Sequence, residues 1–193
     1  MKIGILAAQG AFAEHINMLA RLGVETVAVR LPEQMENIDG LIIPGGESTT
    51  ISKLMDVYKL ADKIKTLAEK GLPIFGTCAG MILMANEIPD HSVEPLGLMD
   101  ISVRRNAFGR QTDSFEVDLP VPALGEKPFP CVFIRAPLIE ELRDGVEVLA
   151  RLPDRTCVAV KQGRLLALAF HPELTSDLRF HRYFADLVAG KKN

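Results

Sequence analysis

Cys78 lies at the centre of a short motif, Gly76-Thr-Cys-Ala-Gly80, with an apolar stretch before it and a helix-like run, residues 81–86, after it. This arrangement is typical of a nucleophile elbow in which sulfur replaces the serine oxygen. Glycine is needed on both sides because a Cβ at either position would crowd the backbone of a sharp, strained turn. The elbow predicts a reactive thiol above the carboxyl edge of a sheet.

The residues around this thiol suit covalent catalysis. The N–H of Ala79 can face a developing oxyanion, and the positive end of the following helix favours a thiolate. The alternative is a cysteine that simply packs inside a glycine-rich turn, because free cysteine is among the most buried residue types. The motif alone leaves both interpretations open.

A base for this thiol is predicted 93 residues later. Residues 165–170 form an apolar run that predicts a buried strand, and His171, Pro172 and Glu173 follow it. Because alternate side chains of an extended chain share a face, and Pro172 favours an extended His171, we expect His171 and Glu173 to point the same way. The imidazole can take the thiol proton while the carboxylate holds its tautomer. An isolated His-Pro-Glu would also fit a strand ending in a polar turn; with the elbow it predicts a Cys78–His171–Glu173 triad.

Two further polar clusters can serve a substrate. Pro44-Gly-Gly-Glu-Ser-Thr-Thr50 follows a predicted strand and opens a predicted helix, so its backbone N–H groups can bind an oxyanion. It lacks the Gly-Lys-Ser/Thr ending of a nucleotide-binding P-loop, and Ser48 or Thr49 can equally be an ordinary helix N-cap. Arg104-Arg-Asn-Ala-Phe-Gly-Arg-Gln111 holds three arginines. One of them can clamp a carboxylate, and a solvated loop is the alternative.

Composition excludes several functional classes. The chain has 193 residues, 48% of them hydrophobic, which is enough to form a core. Its formal net charge is −3, so we do not expect the basic surface that binds nucleic acid. Its three cysteines, Cys78, Cys131 and Cys157, form no disulfide framework or zinc spacing and suit a reducing cytosol. We expect no signal peptide and no membrane span.

A metal site is not expected either. His171-x-Glu173 matches the His-x-Glu half of the zinc-deaminase signature, and Pro130-Cys131 resembles the start of its Pro-Cys-x-x-Cys half. The two halves stand in the reverse order here, however, and Ile134 occupies the position of the second cysteine. The other histidines, His15, His91 and His181, show no ligand spacing, and His181 is expected to be a surface or packing residue. No cofactor is expected.

The elements that position these groups alternate along the first half of the chain. Strands are predicted at residues 2–8, 24–31 and 40–44, and helices at 12–22 and 49–69. Shorter β-like runs follow at 98–103, 114–119 and 146–149, and an amphipathic helix is predicted at 177–189. This order predicts a mostly parallel sheet with helices on both faces and one domain, residues 1–193.

With these motifs in place, the chain resembles the class I (triad) glutamine amidotransferases. The closer resemblance is to the glutaminase subunits of pyridoxal 5′-phosphate synthase, and the segments that carry it span nearly the whole chain in family order. They are Gln9-Gly-Ala-Phe-x-Glu-His15, Pro44-Gly-Gly-Glu-Ser-Thr-Thr50, Arg105-Asn-Ala-Phe-Gly-Arg-Gln111, Phe133-Ile-Arg-Ala-Pro137 and Phe170-His-Pro-Glu-Leu-Thr175. The resemblance implies a flavodoxin-like three-layer α/β/α sandwich. Ala8 and the loop at 120–130 depart from the family pattern without touching the proposed chemistry.

The resemblance also implies the activity and the roles of individual residues. The reaction is hydrolysis of L-glutamine to glutamate and ammonia, with Cys78 as nucleophile, His171 as base and then acid, and Glu173 as the orienting carboxylate. Other roles follow from the same likeness: Gly46, Glu47 and Ser48 line the glutamine site, Gly46 and Ala79 donate to the oxyanion, Arg105 binds the substrate carboxylate, and Ile134 and Arg135 close the pocket.

The resemblance implies a partner, a (β/α)8-barrel synthase subunit that receives the ammonia for pyridoxal phosphate synthesis. Three other interpretations remain at this point. The chain can be the glutaminase of another synthase, such as imidazole glycerol phosphate synthase. It can also be a non-catalytic flavodoxin-like module whose Cys78 is oxidised, or a cysteine hydrolase that shares the elbow without needing His171 and Glu173.

Overall fold

The computed structural model describes residues 1–105 and 114–191. Its strands are β1 (Lys2–Leu6), β2 (Glu25–Val29), β3 (Gly40–Ile43), β4 (Ile74–Thr77), β5 (Ala85–Glu87), β6 (Met99–Arg104), β7 (Ser114–Leu119), β8 (Phe129–Ile134), β9 (Leu138–Leu142), β10 (Glu147–Arg151), β11 (Cys157–Gln162) and β12 (Leu165–Leu168). Its helices are α1 (Phe12–Arg21), α2 (Ser48–Val57), α3 (Leu60–Glu69), α4 (Ala79–Met84) and α5 (Arg179–Val188).

A mostly parallel sheet forms the centre of the molecule. Over the described ranges it has seven strands in the order β10-β11-β12-β4-β3-β1-β2. The pairs from β12 to β2 are parallel, whereas β10, β11 and β12 form an antiparallel edge. Strands β3 and β4 are buried along their whole length, as expected for strands covered on both faces.

Two helical layers cover the two faces of this sheet. Phe75 on β4 packs against α5, with its ring centroid 5.4 Å from that of Phe184, and α5 contacts α1. The next residue, Gly76, faces α4, because a Cβ there would lie 2.6 Å from Sδ of Met84. Since successive strand residues point to opposite faces, α1 and α5 lie on one side and α4, with α2 and α3, on the other.

Two small units lie outside the central sheet: a mixed sheet, in which β5 and β6 are parallel and β6 and β9 antiparallel, and an antiparallel ribbon. Among the described residues, β5, β6 and β9 form one sheet and β7 and β8 form a two-stranded ribbon. The ribbon matters for the site because Val132 on β8 accepts a hydrogen bond from the backbone N–H of His171 at 2.8 Å. Strand β8 therefore lies beside the chain that leaves β12.

Two predicted helices differ from the structure. The helix expected at 49–69 is two helices, broken at Tyr58 and Lys59, where Lys59 adopts a left-handed conformation with φ of 56°. No glycine or proline marks this break in the sequence. The helix-like run at 81–86 ends at Met84, and Ala85 begins a strand that pairs with Met99 of β6.

Candidate active site

The site forms where three neighbouring parallel strands end. Gly45 follows β3, Cys78 follows β4, and His171 follows β12, and these strands are adjacent in the sheet. The register places Leu168 opposite Thr77, and the N–H of Cys78 donates to the carbonyl of Leu168 at 2.8 Å. The carboxyl edge of a parallel sheet is where such folds bind ligands.

Cys78 sits on a strained turn of the kind expected for an elbow. Its backbone has φ of 49° and ψ of −103°, a conformation that L residues rarely adopt. The flanking glycines make it possible: a Cβ on Gly80 would lie 1.9 Å from the carbonyl oxygen of Ile43, and one on Gly76 would lie 2.7 Å from the carbonyl carbon of Gly80. The Sγ atom of Cys78 is 3.8 Å from the carbonyl oxygen of Ile134.

The imidazole of His171 lies beside this thiol. A Cβ added to Gly45 would be 2.3 Å from Cε1 of His171 and 3.3 Å from Cβ of Cys78, so both side chains pack against the same glycine. His171 and Cys78 are each 7% exposed. The pair is therefore nearly closed to bulk water, with a small opening to the surface.

Glu173 holds the other side of the imidazole. Its Oε1 lies 2.7 Å from Nδ1 of His171, and the carboxylate is fully buried. The expected reason for this contact was wrong, because residues Pro172–Leu174 form a 3-10 turn and are not extended. The strand also ends at Leu168, two residues earlier than expected. The turn, and not a pleat, brings the carboxylate back to the ring.

The charges of the site favour a protonated imidazole. Burial by itself would lower the pKa of His171, but hydrogen bonding with Cys78 and Glu173 outweighs burial and raises that pKa to about 10. Burial opposes ionisation of Glu173, yet the imidazoles of His15 and His171 hold its pKa below the usual value. An ionised Glu173 beside an imidazolium is the arrangement that stabilises a thiolate partner.

The loop after β3 is fixed against the loop after β1. The carbonyl of Gly45 accepts from the N–H of Ala11 at 3.0 Å, and the N–H of Glu47 donates to Oε1 of Gln9 at 2.8 Å. Gly46 is exposed, and a Cβ there would lie 2.5 Å from the same Gln9 oxygen and 3.1 Å from Cα of Gly10. These contacts hold the backbone of residues 45–47 next to Cys78.

Glu47 is the N-cap of α2, and the alternative that Ser48 or Thr49 caps this helix is not what the structure shows. Its carboxylate accepts hydrogen bonds from the N–H and hydroxyl groups of both Thr49 and Thr50. These hydrogen bonds lower the pKa of Glu47 to about 2, and the bond from the Thr49 hydroxyl has the largest effect. Ser48 is buried, 4% exposed.

The remaining predicted residues lie around the same edge. Ala79 is the first residue of α4, where a helix leaves its N–H free. Arg105 has Nη2 3.5 Å from Oε1 of Glu47 and donates to the hydroxyl of Ser92. Ile134 is 39% exposed, and Arg135 is exposed with φ of 43°. Residues 106–111 of the arginine-rich motif lie outside the described residues.

Sequence reasoning missed three buried polar residues behind the site. His15 and His181 are both 0% exposed and hydrogen-bonded to each other, so His181 is not a surface residue. Thr77 is also 0% exposed; its hydroxyl accepts from the N–H of Gly45 at 3.1 Å and lies 3.2 Å from Nε2 of His15. The Gln9 to His15 segment carried part of the family resemblance, but no spacing rule connects it to residue 181.

Residues 1–105 and 114–191 contain neither a metal-binding cluster nor a membrane-crossing helix. There is no group of three or more histidine, cysteine, aspartate or glutamate side chains there that can hold a metal ion. Within the same residues, no helix combines the length and apolar character needed to cross a bilayer.

Comparison with known proteins identifies the family. The model of the SNO glutamine amidotransferase family matches residues 5–189. The chain belongs to the SNO glutamine amidotransferase family. A relative from Dehalococcoides mccartyi, named pyridoxal 5′-phosphate synthase subunit PdxT, is 61% identical over 194 aligned positions that cover 100% of both chains. A protein of the same name from Pelotomaculum thermopropionicum is 61% identical over 186 residues, 96% of this chain and 94% of that protein.

Solved structures agree with this SNO-family assignment. A crystal structure described as a glutamine amidotransferase matches with a TM-score of 0.92 at 51% identity, over 97% of this chain and 98% of that one. A chain in the structure of PurLQS from Thermotoga maritima matches with a TM-score of 0.68 at 18% identity, over 96% of this chain and 97% of that one, and shares the fold. The expected fold class, a mostly parallel α/β sandwich of the class I glutamine amidotransferase type, is confirmed.

Proposed function

We propose that Cys78, His171 and Glu173 are the catalytic residues with which this SNO-family glutaminase hydrolyses L-glutamine to glutamate and ammonia. The observation that carries the proposal is the convergence of a strained cysteine, an imidazole and a buried carboxylate at the ends of adjacent parallel strands. The choice of glutamine as the amide substrate rests on membership of this glutamine amidotransferase family. The released ammonia feeds a pyridoxal 5′-phosphate synthase partner, because the full-length relatives are subunits of that synthase.

The first half of the reaction forms a thioester. The Cys78 thiolate attacks the side-chain amide carbon of glutamine, and the carbonyl oxygen becomes an oxyanion. The N–H groups of Gly46 and Ala79 are the proposed oxyanion donors, and loss of one such donor costs about 10²–10³ in rate. The imidazolium of His171 then protonates the departing nitrogen, so that ammonia leaves as a neutral molecule.

The second half restores the enzyme. Water attacks the thioester while His171, now neutral, takes a proton from it, and glutamate leaves as the thiolate re-forms. Glu173 keeps Nδ1 of the ring protonated and directed away from the thiol through both halves. The imidazole therefore acts as the base that takes the thiol proton, as the acid that protonates the leaving nitrogen, and again as the base for water.

The glutamine backbone is proposed to bind on the exposed side of this edge. Arg105 is the proposed ligand of the α-carboxylate, since a guanidinium can hold a carboxylate through two parallel hydrogen bonds. Its contacts with Glu47 and Ser92 fix the guanidinium in place before substrate arrives. Ile134 and Arg135, at the end of β8, are proposed to close the pocket above Cys78.

The partner is proposed to be a (β/α)8-barrel synthase subunit that takes up the ammonia. Ammonia is largely protonated and non-nucleophilic in neutral water, so direct delivery to the synthase preserves its reactivity. The rival partner, an imidazole glycerol phosphate synthase, is not favoured, because both full-length relatives named above are pyridoxal 5′-phosphate synthase subunits.

Docking of the synthase is proposed to complete the oxyanion hole. The isolated chain is then a slow glutaminase. The loop with Gln9 and Gly10 is the proposed sensor, because it contacts the backbone at Gly45 and Glu47 directly. A partner that presses on this loop can reorient the N–H of Gly46 without moving Cys78.

The test is ammonia release from glutamine by wild type, Cys78→Ala and Cys78→Ser, each with and without the synthase subunit. We expect wild type to be stimulated by the synthase and both variants to be inactive in either condition. Hydrolysis by Cys78→Ala at the wild-type rate would overturn the catalytic assignment. Equal wild-type turnover with and without the synthase would overturn the docking proposal alone.

A further inference from the structure

Two histidines from different helical segments meet directly behind the catalytic carboxylate. His15 is on α1 and His181 is on α5, both fully buried, and Nδ1 of His15 lies 2.9 Å from Nε2 of His181. Both rings pack against Phe75 of the elbow strand, with centroids 6.1 and 6.0 Å from that ring. Neither histidine of this pair is one of the three proposed catalytic side chains.

The histidine pair points at the unused oxygen of Glu173. Oε1 of Glu173 is taken by His171, whereas Oε2 lies 3.5 Å from Nε2 of His15. Among the described residues, Oε2 is buried and makes no hydrogen bond of ordinary length. A buried carboxylate oxygen needs a donor, and Nε2 of His15 lies within reach to supply one. The same nitrogen is 3.2 Å from the hydroxyl of Thr77, so an N–H there faces both oxygens.

The charge of Glu173 favours one tautomer of His15. An ionised carboxylate can only accept, so the tautomer that suits Glu173 carries its hydrogen on Nε2 of His15, between Oε2 of Glu173 and the Thr77 hydroxyl, and leaves Nδ1 as an acceptor. Nε2–H of His181 then donates to that Nδ1. The opposite tautomers would place a lone pair of His15 against the carboxylate and leave Oε2 facing repulsion.

Both histidines are neutral in this arrangement. Burial lowers the pKa of His15, an effect that the negative charge of Glu173 opposes only in part. Burial, and then the neighbouring His15, lower the pKa of His181 well below its usual value. A neutral pair provides a directed N–H without placing a second full positive charge beside His171.

We propose that His15 is a positioning residue for the glutaminase reaction, whose Nε2–H holds the second oxygen of Glu173, and that His181 fixes the tautomer and orientation of His15. The inference rests on the proposed function of the triad. A donor on the second oxygen restricts rotation of the Glu173 carboxylate and so keeps Oε1 in line with Nδ1 of His171. Outer-shell groups that orient metal ligands change metal affinity or activity by about 10- to 100-fold when removed, and we expect an effect of the same order for a group that orients Glu173.

Packing alone does not account for the pair. Apolar side chains of similar volume would fill the space beside Phe75 without burying polar atoms. Nδ1 of His181 is buried and has no hydrogen-bond partner among the described residues, which is a cost to folding. The imidazoles therefore cost stability that a hydrophobic pair would not, as expected where a site needs a directed donor.

The test uses two substitutions of His15 that separate its two nitrogens. The amide nitrogen of His15→Gln can occupy the position of Nε2 and donate to Glu173, whereas the shorter His15→Asn reaches only the position of Nδ1. In the complex with the synthase, we expect kcat to fall about 10- to 100-fold in His15→Asn with KM little changed. We expect His15→Gln to recover most of kcat.

A spectroscopic measurement adds a readout that packing would not move. The Nδ1–H proton of His171, which bonds to Glu173, should give a low-field proton resonance in wild type and His15→Gln. It should be weakened or shifted in His15→Asn. Leu19→Ala is the matched control, because Leu19 is fully buried on the same helix; it should lower Tm and leave kcat and the resonance unchanged.

The outcomes are distinct. If His15→Asn fails to fold, His181→Gln and His181→Asn give the same test, since only the former keeps a donor toward His15. Equal loss of kcat in His15→Gln and His15→Asn overturns the positioning role. So does a loss of kcat in Leu19→Ala as large as that in His15→Asn, because it would show that kcat simply follows Tm. Full activity of His15→Asn with an inactive Cys78→Ala overturns the positioning role while the triad stands; an active Cys78→Ala overturns the proposed function itself.

Discussion

Nδ1 of His171 is hydrogen-bonded to Oε1 of Glu173 at 2.7 Å, although only one residue separates them in the sequence. A 3-10 turn at Pro172–Leu174 makes this contact possible, because it folds the carboxylate back under the ring. The contact leaves Nε2 of the imidazole free for the thiol of Cys78. One local turn therefore sets the tautomer on which the proposed chemistry depends.

The first prediction concerns the charge on this carboxylate. Glu173→Gln keeps the shape of the side chain but removes the negative charge that supports the imidazolium of His171. By comparison with similar changes in other triads, we expect kcat to fall about 10²- to 10⁴-fold. Ammonia release at saturating glutamine measures the effect, and Tm reports whether folding is intact. Wild-type kcat in a folded Glu173→Gln enzyme would contradict the orienting role.

The second prediction concerns selective labelling of the cysteines. Burial raises the pKa of Cys131 to about 12 and also raises the pKa of Cys157, so both remain thiols at neutral pH. Cys78 lies beside an imidazole that can take its proton. We expect iodoacetamide at pH 7 to alkylate Cys78 first, and the other two only after unfolding.

Mass spectrometry of the digested protein measures the order of labelling. His171→Gln is the comparison variant, since it removes the base and should slow alkylation of Cys78 while leaving the two buried thiols unreactive. Equal labelling of all three cysteines in the folded protein would argue against a specially activated thiol.

The third prediction concerns the cap of α2. Glu47 accepts from Thr49 and Thr50, and loss of an N-cap typically costs about 0.5–2 kcal/mol. The pKa of Glu47 is lowered from 4.5 to about 2. Its stabilising effect is thus complete above pH 4.5 and is lost as the pH falls through about 2.

Unfolding by urea as a function of pH measures this effect. Glu47→Ala should be less stable than wild type at pH 7, and the difference should shrink toward pH 2. Glu126→Ala, an exposed loop substitution, should show no such pH-dependent difference. A difference between wild type and Glu47→Ala that stays constant down to pH 2 would contradict a charged cap.

The elements that end at the site could be predicted from the sequence because they carry local signals. The glycines around Cys78 mark a turn that few other residues permit, and the apolar run before His171 marks a buried strand. Since parallel strands present their carboxyl ends at one edge, these two signals place the thiol and the imidazole at the same edge of the sheet. The structure shows in addition that their strands, β4 and β12, are neighbours. The alternation of strands and helices predicted the central sheet for the same reason.

Features that depend on tertiary contacts could not be predicted. His15 and His181 are 166 positions apart, and each alone fits an ordinary helix, so nothing local indicates that they meet. The break between α2 and α3 at Lys59 has no glycine or proline to mark it. The short strand that begins at Ala85 exists because β6 is available to pair with it. For the histidine pair and for β5, another segment supplies the partner.

The last prediction concerns the space between the loop after β3 and the triad. A Cβ on Gly45 would lie 2.3 Å from Cε1 and 2.9 Å from Nδ1 of His171, closer than real Cβ atoms approach. Gly45→Ala should displace the imidazole from both Cys78 and Glu173, and a misplacement of about 1 Å can cost roughly 10²-fold in rate. We therefore expect at least that loss of kcat.

Gly71→Ala is the matched control for the Gly45→Ala experiment. Gly71 has open space around its Cβ position but φ of 85°, so alanine there costs stability without touching the site. It should lower Tm and keep kcat. Steady-state kinetics and thermal unfolding of both variants separate the two effects. Wild-type kcat in Gly45→Ala would contradict this prediction. It would show that the imidazole can move aside without loss of activity, and that the close approach of the loop at Gly45 is not what holds His171 against Cys78.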